Sequence, residues 1–83
     1  MGLKNIVTPD MGESITEATV LSIKYREGDS FSDRDILFEL ETEKVNISVS
    51  AESAGTLKNL LVKTGDVVTP GSILGEYEEL SQR

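Results

Sequence analysis

The sequence predicts an all-β fold, a flattened β-barrel or sandwich of two quasi-symmetric four-stranded halves. Three observations carry this reading. Short apolar stretches alternate with polar residues at a period of two. Turn signals rich in Gly, Pro and Asp divide the chain at short intervals. The chain also matches itself when shifted by 37 positions.

The elements follow in chain order. The first strand ends at a turn signal running from Pro9-Asp10 through Gly12, and residues 10–16 form an exposed connector to the second strand. Further turns are expected at Glu27-Gly28-Asp29, Thr64-Gly65-Asp66 and Thr69-Pro70-Gly71. Between them, Ile36, Phe38 and Leu40 alternate with Leu37, Glu39 and Glu41. Val45, Ile47 and Val49 alternate with Asn46, Ser48 and Ser50. Each stripe is expected to bury its first-named set, and β-branched residues suit such a surface. No stretch sustains a helical period.

The repeat aligns 18–41 with 55–78, with seven identities in 24 positions: Thr19/Thr56, Gly28/Gly65, Asp29/Asp66, Ile36/Ile73, Leu37/Leu74, Glu39/Glu76 and Glu41/Glu78. Val20 with Ile23, and Leu57 with Leu60, are apolar pairs three residues apart. That spacing breaks alternation and predicts a bulge in each copy. Two halves of this kind are expected to pack face to face about a pseudo-twofold axis. Position 44 then corresponds to position 81, so a hairpin in the first half takes the place of the chain end in the second. The hairpin tip and the termini should lie at opposite ends.

Composition narrows the chemistry. The chain has 83 residues, no His, no Cys and no Trp. A thiol nucleophile, a Cys/His zinc site and His-based proton transfer need side chains that are missing. With 8 Lys+Arg against 15 Asp+Glu, the net charge is −7. That balance disfavours nucleic acid and anionic membrane as partners. No apolar run approaches the roughly 20 residues a membrane helix requires. A domain of this size buries a thin core and leaves little room for a deep cleft. Glu39, Glu41 and Glu43 lack the other elements of a calcium loop. Tyr25, Phe31, Phe38 and Tyr77 suit the core or its edge, and Asp29 and Asp66 suit the shaping of Gly turns.

One position stands apart. Register puts a turn at Thr42 to Lys44, which places Lys44 on an exposed tip. An exposed amine is a poor Schiff-base nucleophile, because that role needs a desolvated one. It is a good attachment point for a group added by another enzyme. Ordinary solubilising charge remains the alternative reading.

Glu41-Thr42-Glu43-Lys44-Val45 resembles the attachment motif of lipoyl domains, which reads acidic residue, Ser or Thr, Asp, Lys, then a small apolar residue. Pro9-Asp10-Met11-Gly12-Glu13-Ser14-Ile15-Thr16-Glu17-Ala18-Thr19 resembles the opening of lipoyl domains in dihydrolipoamide acyltransferases, the E2 subunits of 2-oxo acid dehydrogenase complexes. The Gly-Glu-Ser-Ile-Thr-Glu-Ala-Thr form is most similar to succinyltransferases of 2-oxoglutarate complexes. Glu43 departs from the family's Asp by one methylene, which implies a slower but competent substrate. Biotin carriers flank their lysine with Met, whereas Glu43 and Val45 stand here.

The resemblance implies a non-catalytic carrier with lipoate in amide linkage on Lys44. Glu43 and Val45 would be read by the modifying enzyme, a lipoate ligase or a lipoyl/octanoyl transferase. Met11, Gly12, Glu13 and Ser14 would contribute to recognition by E1, the 2-oxo acid dehydrogenase. The remaining partners would be the E2 catalytic domain and E3, dihydrolipoamide dehydrogenase. The lipoyl domain would span 1–78, with 79–83 opening a linker to further domains. The compartment would be the bacterial cytoplasm or the mitochondrial matrix. A biotin carrier and an unmodified interaction domain are the competing readings.

Overall fold

A computed structural model describes residues 2–12 and 15–80. It contains eight strands: β1 (Leu3–Val7), β2 (Ala18–Ile23), β3 (Ser30–Phe31), β4 (Ile36–Glu41), β5 (Asn46–Ser50), β6 (Gly55–Leu60), β7 (Val67–Val68) and β8 (Ile73–Glu79). They form two four-stranded antiparallel sheets, ordered β1-β8-β6-β3 and β5-β4-β2-β7. The body is elongated, 41 × 21 × 17 Å.

The core lies between the sheets. Val20, Phe38, Leu40 and Leu74 are its most deeply buried large side chains. Phe31 stands between Tyr25 and Tyr77, with ring centroids 5.7 and 5.5 Å away in edge-to-face geometry. All four aromatic residues thus occupy the core or its margin, with Tyr25 half-buried.

The 37-residue shift is visible in the hydrogen bonds. Gly28 N–H donates to the Leu57 carbonyl, and Gly65 N–H to that of Val20. Asp29 Oδ2 accepts the Arg26 N–H, and Asp66 Oδ2 that of Lys63, both at 2.9 Å. These aspartates shape their turns. The predicted bulges fall between Val20 and Ser22 and between Leu57 and Asn59.

The halves do not form separate layers, however. The short strand of each copy crosses over, so that β3 pairs with β6 and β7 with β2. The Gly-Asp turn before each short strand hydrogen-bonds to the long strand of the other copy, which commits the chain to the exchange. Unmatched strands complete the symmetry: β1 stands beside β8 as β5 stands beside β4.

The alternation expected in β4 also fails at its start. A register shift lies between Ile36 and Phe38. It turns Leu37 inward, 2% exposed, and leaves Ile36 outside at 41%. An irregular pairing moves successive side chains to the same face, which alternation alone cannot foresee. At the C-terminal side, β8 reaches Glu79, and Leu80 N–H donates to the Ala54 carbonyl at 2.9 Å. Ordered pairing therefore continues two residues past 78.

Candidate functional site

One end of the sandwich collects four segments: the β1–β2 connector, the start of β2, the turn before β8 and the β4–β5 hairpin. Ala18 and Thr19 pair with Val68 and Val67, and Thr19 also faces Glu41. Gly71 N–H donates to the Thr8 carbonyl. At the other end, Leu3 faces Glu78, the position related to Glu41 by the repeat. The hairpin tip therefore lies away from Leu3 and Leu80.

The tip is a tight turn spanning 42–45. Thr42 N–H donates to the Val45 carbonyl at 3.0 Å, and pairing resumes at Glu41 with Asn46. The turn thus closes one residue later than register suggests. Val45 belongs to the turn and is 55% exposed rather than set into an apolar face. Glu43 and Lys44 form its apex, and both are exposed. Lys44 N–H donates to the Thr42 hydroxyl oxygen at 3.2 Å.

The connector between β1 and β2 covers residues 8–17, whereas its counterpart between β5 and β6 covers only 51–54. The longer connector is anchored at Thr8 and Met11. Thr8 is buried, and its hydroxyl donates to the Ser72 carbonyl at 3.0 Å. Met11 is 8% exposed and belongs to the hydrophobic core. The sequence places Met11 in an exposed recognition loop, but its apolar side chain is turned inward and holds the loop down. Gly12 is exposed, takes a φ of 104°, and donates its N–H to Asp10 Oδ1 at 3.0 Å. Glu13 and Ser14 lie outside the described residues.

Beside the tip, residues 15–19 and 41–43 part to leave a cleft of about 420 Å³. The repeat explains its place. In the second half, the Leu80–Ala54 hydrogen bond closes the corresponding gap. Positions 43 and 17 correspond to that pair, and among the described residues they share no such bond. No local pattern encodes this cleft, because it depends on one long connector lying beside a turn distant in sequence.

This fold and this exposed turn define an attachment domain of the biotin/lipoyl family. The family model described as "Biotin-requiring enzyme" matches residues 4–76, and the chain belongs to that family. Within it, the chain is a lipoyl domain, a carrier rather than a catalyst. It resembles the solution structure of the lipoyl domain of the 2-oxoglutarate dehydrogenase complex from Azotobacter vinelandii. The TM-score is 0.74 at 31% identity, over 90% of this chain and 95% of that one. A single-chain, multi-domain long-chain acyl-CoA carboxylase shares the fold with TM-score 0.83 at 22% identity, covering 98% of this chain and 7% of the other. Among curated sequences, the dihydrolipoyllysine-residue succinyltransferase component of the 2-oxoglutarate dehydrogenase complex from Rickettsia conorii is 40% identical over 74 residues. That match covers 89% of this chain but 19% of the relative.

Proposed function

We propose that Lys44 carries lipoate in amide linkage and that the domain shuttles acyl groups, succinyl foremost, within a 2-oxoglutarate-type dehydrogenase complex. One observation carries this reading: an exposed lysine at the apex of a closed turn, at the end of the sandwich remote from Leu3 and Leu80. A side chain so placed is accessible to a modifying enzyme, and its cargo can reach active sites on other subunits. The lipoyl group supplies sulfur redox and acyl-accepting chemistry that a chain without cysteine lacks.

The chain's own residues present the amine and identify the domain. Glu43 and Val45, on either side of Lys44, are the positions a lipoate ligase or lipoyl/octanoyl transferase would read. E1 would meet the connector 8–17 through Gly12 and its neighbours, with Met11 as their anchor. E3 and the E2 catalytic domain would meet the same tip. The setting would be the bacterial cytoplasm or the mitochondrial matrix.

The test is intact mass after co-expression with lipoate ligase and lipoate, beside Lys44→Arg. A lipoyl-sized gain confined to the unaltered chain is expected. No gain, or a gain only with biotin ligase, would overturn lipoyl attachment. The modified domain is then offered to E1 enzymes for 2-oxoglutarate, pyruvate and branched-chain 2-oxo acids. Fastest acylation with pyruvate would overturn the succinyl assignment.

A further inference from the structure

We infer that Thr42 is a positioning residue that sets the turn in which Lys44 is modified. This rests on the reading of Lys44 as the attachment site. The Thr42 hydroxyl oxygen accepts the N–H of Lys44 at 3.2 Å and the N–H of Val45 at 3.0 Å. The same hydroxyl donates to the Val45 carbonyl at 2.6 Å. The Thr42 backbone N–H reaches that carbonyl too, at 3.0 Å.

A hydroxyl offers one proton and two lone pairs. All three are committed inside the turn, so the Thr42 hydroxyl has no capacity left for a partner. It acts by holding the backbone on which Glu43 and Lys44 stand. Its β-branched side chain has restricted χ1 freedom, which lowers the entropy lost in making these contacts. Without the hydroxyl, water takes the two N–H groups and the turn samples several forms. Only the fraction in the native form is competent, so the apparent affinity of the modifying enzyme falls by that fraction. The chemical step, once the tip is docked, is unaffected.

The test measures lipoate ligase kinetics with the unmodified full chain as varied substrate, comparing wild type, Thr42→Val and Thr42→Ser. Thr42→Val should raise KM about tenfold and leave kcat within about twofold, the signature of a reduced competent fraction. Thr42→Ser, which restores the hydroxyl, should return KM to near the wild-type value. In the unmodified proteins, amide exchange at Lys44 and Val45 should speed up in Thr42→Val, while the Leu40 amide stays protected and the fold stays intact.

An unchanged KM in Thr42→Val, or an equal loss in Thr42→Ser, would overturn the inference. So would unchanged exchange at Lys44 and Val45. These results leave lipoylation of Lys44 standing. Absence of any mass gain on the wild-type domain would instead overturn the carrier reading, and this inference with it.

Discussion

Arg34 and Gly71 hold the same place in the two halves, and both adopt positive φ, 69° and 91°. Each donates its N–H across the sheet end at 3.0 Å, Arg34 to the Ala51 carbonyl and Gly71 to the Thr8 carbonyl. The turn geometry is therefore common to both copies, but only one has the residue best suited to it. A left-handed conformation costs a residue with a Cβ roughly 1–2 kcal/mol. Arg34→Gly should raise the unfolding free energy by about 0.5–1 kcal/mol, net of the greater freedom of Gly in the unfolded chain. Urea unfolding curves decide this, and a destabilised Arg34→Gly would refute the conformational account.

Gly75 is required for a different reason. Its φ is not positive, but a Cβ there would lie 2.8 Å from the Asn59 carbonyl oxygen. That neighbour is backbone in the adjacent strand β6 and cannot rotate aside. Gly75→Ala should destabilise by about 1–3 kcal/mol, as overpacking does elsewhere. A thermal melt matching wild type would show that the two strands separate more readily than their pairing suggests.

Burial separates leucines that look alike in sequence. Leu74 is 0% exposed and Leu61 is 54% exposed. Leu74→Ala should lose about 2–5 kcal/mol, the range for a fully packed core leucine. Leu61→Ala should stay within about 0.5 kcal/mol of wild type. Comparable losses from both would contradict the assigned faces.

The Tyr25 hydroxyl donates to Asp35 Oδ2 at 2.7 Å, and the Ser32 N–H donates to the same oxygen at 2.9 Å. The Ser32 N–H first, and Tyr25 second, hold the Asp35 carboxyl below its ordinary value. Its stabilising contribution is therefore present above about pH 4 and is lost as pH falls through the lower folded value. Tyr25 is pushed up, mainly by its bond to Asp35 and then by burial. Its contribution is present below about pH 10 and is lost as pH rises through the raised folded value. Tyr25→Phe removes one donor, so the Asp35 midpoint followed by carboxyl NMR should move up. An unmoved midpoint would mean that the Ser32 N–H alone holds it.

Much of this molecule is legible in its sequence. The 37-residue repeat predicts paired Gly-Asp turns, a bulge in each copy and a hairpin set against the chain ends, because backbone geometry recurs when turn residues do. Register puts Lys44 on an exposed tip, and the resemblance of 41–45 to a known attachment motif is what singles it out there. Other features required tertiary structure. The exchange of β3 and β7 depends on hydrogen bonds between Gly turns and strands of the other copy, which no local pattern encodes. Leu37 displaces Ile36 from the core through a register shift, and Met11 turns inward from a mostly polar connector to enter it. The cleft beside the tip arises where a long connector faces a turn that its symmetry mate lacks. Periodicity and turn chemistry act over a few residues and can be read along the chain. Register, strand exchange and the closure of gaps depend on which distant segments meet, and only packing decides that.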